Sequence, residues 1–310
     1  MLVAANNLAD QAAHLLQDPT GQVDLSNPGE IEAAICAILG GLYADSYDAA
    51  LLTKAIQDLI SAYRGNYPGL LASDTLYHDL RHALETGLTA ARLLDGYAKS
   101  IGPDNALQID AHHGVLCVLL ALYHDVGLLR TDTEAQLWGP ALIPIHEERG
   151  AEFMQRYLAR SLPAASAEKS RLIMATKFIF QMPESWSSFD RLLASIIASA
   201  DLLSQFSDRC YLEKCRDFLF VEFSACGLAG TLDSPYPDRE TLLADTPSFF
   251  SNVIYRRLDD EFQGAYRLLE LHTGKGNHWL EAIQRNLGFL ENILSSGEFY
   301  RLRRTRRPFN

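Results

Sequence analysis

Apolar residues recur every three to four positions along almost the whole of this 310-residue chain. Alternating runs of the kind that build strands, bounded by turn residues, extend no further than about four residues at a time. A chain patterned this way buries one stripe of each helix against other helices, so the expectation is an all-α protein, a single globular multi-helix domain. The periodicity predicts helices over 2–17, 29–45, 47–64, 77–98, 106–125, 146–160, 166–181, 188–206, 208–226, 239–246, 248–272 and 276–296. Asn27-Pro28 and Asp233-Ser234-Pro235 read as start signals in two of the preceding loops. The Gly- and Pro-bearing breaks at 65–74, 101–105, 138–144, 182–187 and 227–238 are short, none reads as an interdomain linker, and there is no internal repeat. The expected organisation is a core over 70–206, an N-terminal helical extension over 1–69 and C-terminal helices over 207–310 packed on the core.

A formal net charge of -12 argues against general nucleic-acid binding, which needs a positive surface to displace counterions. The exception is RLRRTRRPFN, whose Arg301, Arg303, Arg304, Arg306 and Arg307 are expected to be solvated or to dock on the chain's own acidic surface. Cys36, Cys117, Cys210, Cys215 and Cys226 show no CxxC spacing and imply neither a disulfide framework nor a cysteine-based zinc site. The first residues lack the pattern of a signal peptide, and no uninterrupted apolar run approaches the roughly 20 residues that span a bilayer. A cytoplasmic protein with no membrane partner is expected, with homo-oligomerisation left open.

Three places break the apolar stripes. In YHDLRHALE, His78 and His82 are four apart, which puts them on one face if both are helical. In HHGVLCVLLALYHDVG an apolar run ends in His124-Asp125, and a carboxylate entering a core is costly unless it is paired or binds a cation. In FDRLLASIIASADLLSQF, Asp201 occupies a position where the Leu193–Ile197 line should continue apolar. Together these supply imidazoles and two carboxylates, a donor set suited to one or two divalent cations such as Mg, Mn, Fe or Zn. An adjacent His-Asp pair also lets the carboxylate bridge to a second ion. His112 and His113 form a doublet, of which His113 is expected to pack in the buried stripe.

The order H…HD…D resembles the HD-domain metal-dependent phosphohydrolases, and in motif it is closest to the catalytic domain of cyclic nucleotide phosphodiesterases. Tyr77-His78-Asp79-Leu80-Arg81-His82-Ala83 resembles the opening signature of that family, and His124-Asp125 its HD pair. Ala175-Thr176-Lys177 and Ala200-Asp201-Leu202 resemble its later Ala-Thr-Asp and metal-aspartate elements, and His146 falls where the family carries another histidine. The likeness implies a phosphodiesterase-like helical fold in which His82, His124, Asp125 and Asp201 hold the first metal. It further implies that Asp125 bridges to a second metal and that His78 is the general acid, so the catalytic pair is His78 and Asp125. The family pattern is departed from at Asp79, Glu85, Leu128 and Lys177, and its purine-clamping glutamine has no counterpart in the C-terminal half.

The expected function is hydrolysis of a phosphodiester or phosphomonoester, a nucleotide or related small phosphate ester, by a metal-activated water. Asp79 and Glu85 are candidates to orient imidazoles, Arg81, Arg130 and Lys177 are candidates for substrate contact, and His146 is a candidate ligand or substrate contact. The competing expectations are a di-iron oxygenase of HD type and a regulatory or ligand-binding protein that keeps its metal without turnover.

Overall fold

The computed structural model describes residues 15–102, 105 and 107–304. In chain order its helices are α1 (Pro28–Tyr43), α2 (Ala49–Tyr63), α3 (Leu80–Ser100), α4 (Ala111–Leu122), α5 (His146–Ser161) and α6 (Ser188–Ser207). They continue with α7 (Tyr211–Lys214, a π-turn at Cys215–Leu219, then Phe220–Ala225), α8 (Arg239–Phe249), α9 (Leu268–Thr273) and α10 (His278–Ser296). Among the described residues there are isolated β-bridges but no strand, so the all-α expectation holds. The predicted helix over 2–17 lies outside the described residues for its greater part.

Side-chain caps set where most of the long helices start. Asn27, Asp48, Asp79, Asp110, Ser187, Asp238 and Asn277 each accept a backbone N–H from the first turn of the helix that follows. Each cap satisfies a donor that has no partner inside its own helix. Asn27 with Pro28 at the first turn matches the start signal in the sequence. The cap of α8 is Asp238, three residues beyond the end of the predicted Asp233-Ser234-Pro235 signal.

The other helices are arranged around α3. Residues 80–94 are all buried, and α1, α4, α6 and α9 pack on different sides of the helix. A helix enclosed this way tolerates polar side chains only where they find partners. Thr86 donates to the carbonyl of His82, and Thr89 accepts from Ser204 of α6. Arg92 pairs with Asp18 at 2.6 Å and lies over the Trp279 ring of α10. Asp18 also accepts from Thr20 and from the backbone of Gln22 and Val23, which closes the loop before α1.

Three predicted helices end differently, each for a local reason. The 77–98 helix begins at Leu80 because Asp79 turns its side chain back as the cap, which leaves His78 in the loop. The 166–181 helix becomes a short turn followed by a 3₁₀ segment, Glu168–Thr176; Arg257 then takes the carbonyls of Ala175 and Lys177 and holds the chain out of helix. The 248–272 helix breaks where Gln263 and Gly264 adopt left-handed backbone at φ 54° and 68°. The apolar stretch Ala111–Leu128 has mean hydropathy 1.2 and is 83% buried. Its helix, α4, stops at Leu122, so at about 1.5 Å per residue it falls well short of the roughly 30 Å hydrocarbon layer.

Burial raises the pKa of Asp18, but Arg92 and the hydrogen bonds from Thr20, Val23 and Gln22 outweigh it and hold the carboxyl below its ordinary value. The lowered folded-state pKa means this contribution is complete above about 3.8 and is lost as the pH falls further towards the folded value. Arg92→Met is expected to cost about 3 kcal/mol, since it leaves a buried carboxylate without its cation. Urea unfolding at pH 7 and pH 3 checks this: the gap between variant and parent should narrow at the lower pH.

Candidate metal centre

Four stretches of chain meet beside the first turn of α3. His82 is the third residue of that helix, its amide bonded to the cap Asp79 at 3.0 Å. His124 and Asp125 lie in the turn that follows α4, where Tyr123 and Asp125 leave helical geometry with ψ of 9° and 3°. Tyr123 fixes that turn by donating its buried hydroxyl to Ala55 O at 2.6 Å. Asp201 lies deep within α6, and His146 opens α5.

α5 is drawn against the turn by two features. A methyl group at Gly127 would overlap the carbonyl oxygen of His146, so only glycine lets the two backbones approach this closely. Arg149 of α5 then donates Nε to Gly127 O at 2.8 Å and Nη2 to Leu129 O at 3.2 Å, while Glu134 takes the rest of its fork.

The donor atoms converge. His82 Nε2 lies 3.1 Å from Asp201 Oδ1 and 3.5 Å from Asp125 Oδ2, and His124 Nε2 lies 3.5 Å and 3.2 Å from the same two oxygens. One ligand atom each from His82, His124 and Asp201 fits within 4.8 Å of the others. Atoms bound about 2.0–2.2 Å from a shared cation stand roughly 2.8–3.6 Å apart at octahedral or tetrahedral angles. Despite their closeness, the buried His82 Nε2, His124 Nε2 and Asp125 Oδ2 have no hydrogen-bond partner within the protein. Close polar atoms that do not bond one another are what a cation site requires, and the donor set fits a divalent ion.

The tautomers agree with this. His124 Nδ1 bonds the carbonyl of Ala121 at 2.8 Å, and His146 Nδ1 bonds that of Ile143 at 2.7 Å. Each contact places the proton on Nδ1 and leaves a lone pair on Nε2, the arrangement a metal-binding imidazole needs. His146 Nε2 lies 3.3 Å from Asp125 Oδ1, the oxygen turned away from His82 and His124.

Burial opposes charge on every member of the cluster. At His82 it prevails, reinforced by His124, and lowers the pKa. At His124 burial is overcome by Asp125 and Asp201, and at His146 by Asp125 and Glu147, so both imidazoles are raised. The two carboxylates are held below the usual range despite burial, chiefly by His124. The centre therefore keeps two ionised carboxylates ready for a cation.

His78 stands at the edge of this cluster, its ring 6.3 Å from that of His82 and 6.2 Å from that of His146. Its Nδ1 is 2.6 Å from Glu222 Oε2, while Glu222 Oε1 accepts the backbone N–H groups of Leu76 and Tyr77 at 2.7 Å each. Burial would lower the His78 pKa, but Glu222, with help from Asp125 and Asp201, raises it to about 9. Glu222 went unnoticed in the sequence because it lies 144 residues from His78, beyond the expected core, in a stretch with no motif. In the structure it lies in the second part of α7, almost wholly enclosed.

The remaining candidates fall elsewhere. Asp79 is the cap of α3, and Arg81 and Glu85 are buried on that helix and engaged within the protein. Arg130 pairs with Asp74 at 3.0 Å and donates to Leu137 O. Lys177 pairs with Glu148 yet still lines the cavity beside the centre, whereas Leu128 is simply buried. His113 bonds Asp110 and lies edge-on to Phe189 while remaining half-exposed, not packed in the core stripe. Of the C-terminal arginines, Arg304 docks through its backbone on Glu213 and over Phe289, and Arg301 pairs with Glu298. Arg306 and Arg307 lie outside the described residues.

Residues 131–293, more than half of the chain, match the Npun_R2479-like family. The chain belongs to the Npun_R2479-like family. No curated protein and no solved structure matches it. The region of this Npun_R2479-like protein that defines the family includes His146, Asp201 and Glu222, while His78, His82, His124 and Asp125 precede it.

His124→Ala and Asp201→Ala should each lower bound metal by roughly tenfold or more, measured by elemental analysis of purified protein with the fold checked by circular dichroism. Full metal content in a folded Asp201→Ala protein would remove that residue from the ligand set. Gly127→Ala, which alters no ligand side chain but presses on the backbone of His146, should also weaken metal retention.

Proposed function

We propose that this protein is a metal-dependent phosphohydrolase of the HD type. The observation that carries the reading is the two-sided contact of Asp125. Its Oδ2 faces His82 and His124 Nε2 at 3.5 and 3.2 Å, while its Oδ1 faces His146 Nε2 at 3.3 Å. A carboxylate shared in this way suits two neighbouring cation positions, the first held by His82, His124, Asp125 and Asp201, the second by Asp125 and His146. Cations bound there would supply an acidified water and neutralise phosphate oxygens.

The chain's own contribution is proton delivery and positioning. His78 lines the cavity beside Asp125, Asp201 and His146, and Glu222 occupies its Nδ1. The imidazolium can therefore present only Nε2–H to a leaving oxygen. With a pKa near 9 it remains protonated at neutral pH, the state a general acid needs. Glu222 is itself fixed by two backbone donors, so it orients the ring as well as sustaining its charge. Lys177 lines the cavity while paired with Glu148 and is the candidate we assign to meet phosphate charge.

His78→Ala should leave metal content intact and lower the turnover of p-nitrophenyl phosphate or bis-p-nitrophenyl phosphate by roughly 10²–10⁴-fold. Glu222→Gln should move the alkaline fall in rate down from about pH 9 towards the ordinary imidazole value of 6.5, because the proton is lost more easily without the carboxylate. Protein that is fully loaded with Mn, Mg, Fe or Zn and turns over no phosphate ester would refute the proposal. It would leave a metal-binding protein without turnover or, if oxygen is consumed, an oxygenase.

A further inference from the structure

Beside the centre lies a cavity of about 630 Å³, within the size range of pockets that enclose whole small ligands. Asp125, Asp201, His78 and His146 line it along with the walls of a much larger apolar space. Those walls come from the end of α6, from α7, and from α8 and the turn Phe250–Ile254 that follows it, and include Phe206, Tyr211, Leu219, Phe223, Phe249 and Ile254. Several of the polar side chains that line the cavity already have partners. Gln205 is held between Asp201 and Tyr77, Thr246 donates to Leu242 O, Tyr236 to Asp245, and Arg257 to the carbonyls of Ala175 and Lys177.

A nucleobase and ribose placed there would lose hydrogen bonds to water and find few replacements beyond the carboxylates of Glu147 and Asp245, whereas an aliphatic or aromatic body would lose none. The rim points the same way. Ile179 is 86% exposed and Leu228 is 41% exposed, and both line the cavity. Leu232, in the same loop as Leu228, is 93% exposed. Large apolar side chains left in water at the mouth of an apolar pocket are where an amphiphile would first touch.

We infer that the substrate is a phosphate ester of an apolar alcohol, its hydrocarbon body filling this cavity and its phosphate at the metal centre. This rests on the phosphohydrolase reading above and replaces the nucleotide expected from the sequence. In the reaction a water oxygen forms the new bond to phosphorus and the bond from phosphorus to the alkoxide oxygen breaks. His78 gives its Nε2 proton to the departing alkoxide and recovers one from solvent. The products are inorganic phosphate and the free alcohol, with no oxidant or reductant required.

The test is a series of n-alkyl phosphates from butyl to decyl, with adenosine 5′-monophosphate as the polar reference. Binding to metal-loaded and chelator-treated protein is followed by calorimetry alongside phosphate release. Affinity should rise roughly fourfold for each methylene that the cavity buries, in both metal states. Leu228→Asp, at a partly exposed rim position, should flatten that dependence. Binding indifferent to chain length, or adenosine 5′-monophosphate bound more tightly than decyl phosphate, overturns the inference even if hydrolysis is observed. Decyl phosphate that binds with the expected dependence but is never hydrolysed upholds the amphiphile site and overturns the phosphohydrolase reading instead.

Discussion

Asp125 and Asp201 put two negative charges into the interior of a helical protein, and much of the surrounding architecture follows from that placement. Isolated, a carboxylate in such surroundings would take up a proton rather than stay ionised. Here both stay ionised because imidazoles from α3, from the turn after α4 and from α5 stand within 3.1–3.5 Å of their oxygens. The same imidazoles are kept from bonding the carboxylates properly, which leaves the donor atoms unsatisfied until something positive joins them. A purely structural ion-pair network would be expected to relax into hydrogen bonds. The scaffold does not permit that relaxation: Asp79 fixes the start of α3, Tyr123 fixes the turn, and Gly127 with Arg149 fixes α5.

The chemistry-bearing residues were legible in the sequence because each broke a local pattern. His82, His124 and Asp201 interrupt apolar runs, and a break of that kind can be seen without knowing where the helices go. What could not be read was how the breaks are reached in space. His78 and His82 look like one helical face, yet Asp79 prefers to cap, and His78 is delivered by a loop. The HD pair looks like the end of a long helix, yet it occupies a turn whose shape depends on Tyr123 meeting Ala55 O across 68 residues. Arg149 and Glu222 were illegible for the same reason. A charged residue on a helix reads as solvated until its partner is known, and the partners of these two are set by tertiary packing alone.

The chain divides its work unevenly. Most of the charged centre comes from residues 78–146, with Asp201 contributed from further on, whereas the walls of the cavity come largely from residues beyond 200. The family match, over residues 131–293, therefore covers the greater part of the cavity and only part of the candidate metal centre. α6 belongs to both, since Asp201 faces the imidazoles and Phe206, one and a half turns on, faces the cavity. Gln205 between them bonds Asp201 at 2.5 Å and accepts from Tyr77 at 3.2 Å, linking the position of the carboxylate to the cavity wall.

Glu222 joins the two parts through three hydrogen bonds. It lies on α7, whose neighbouring residues Leu219 and Phe223 line the cavity, and it reaches His78 and the two amides before it. A displacement of α7 by a body entering the cavity would be felt directly at His78 through this one carboxylate. Its tolerance for such movement is small, because both oxygens are spoken for and the side chain is only 2% exposed. His78, the proposed proton donor, is thus registered to the cavity wall and not only to the loop that carries it. That arrangement ties the orientation of His78 to the position of the cavity wall, so under the proposed reaction a poorly fitting ester would lose rate as well as affinity.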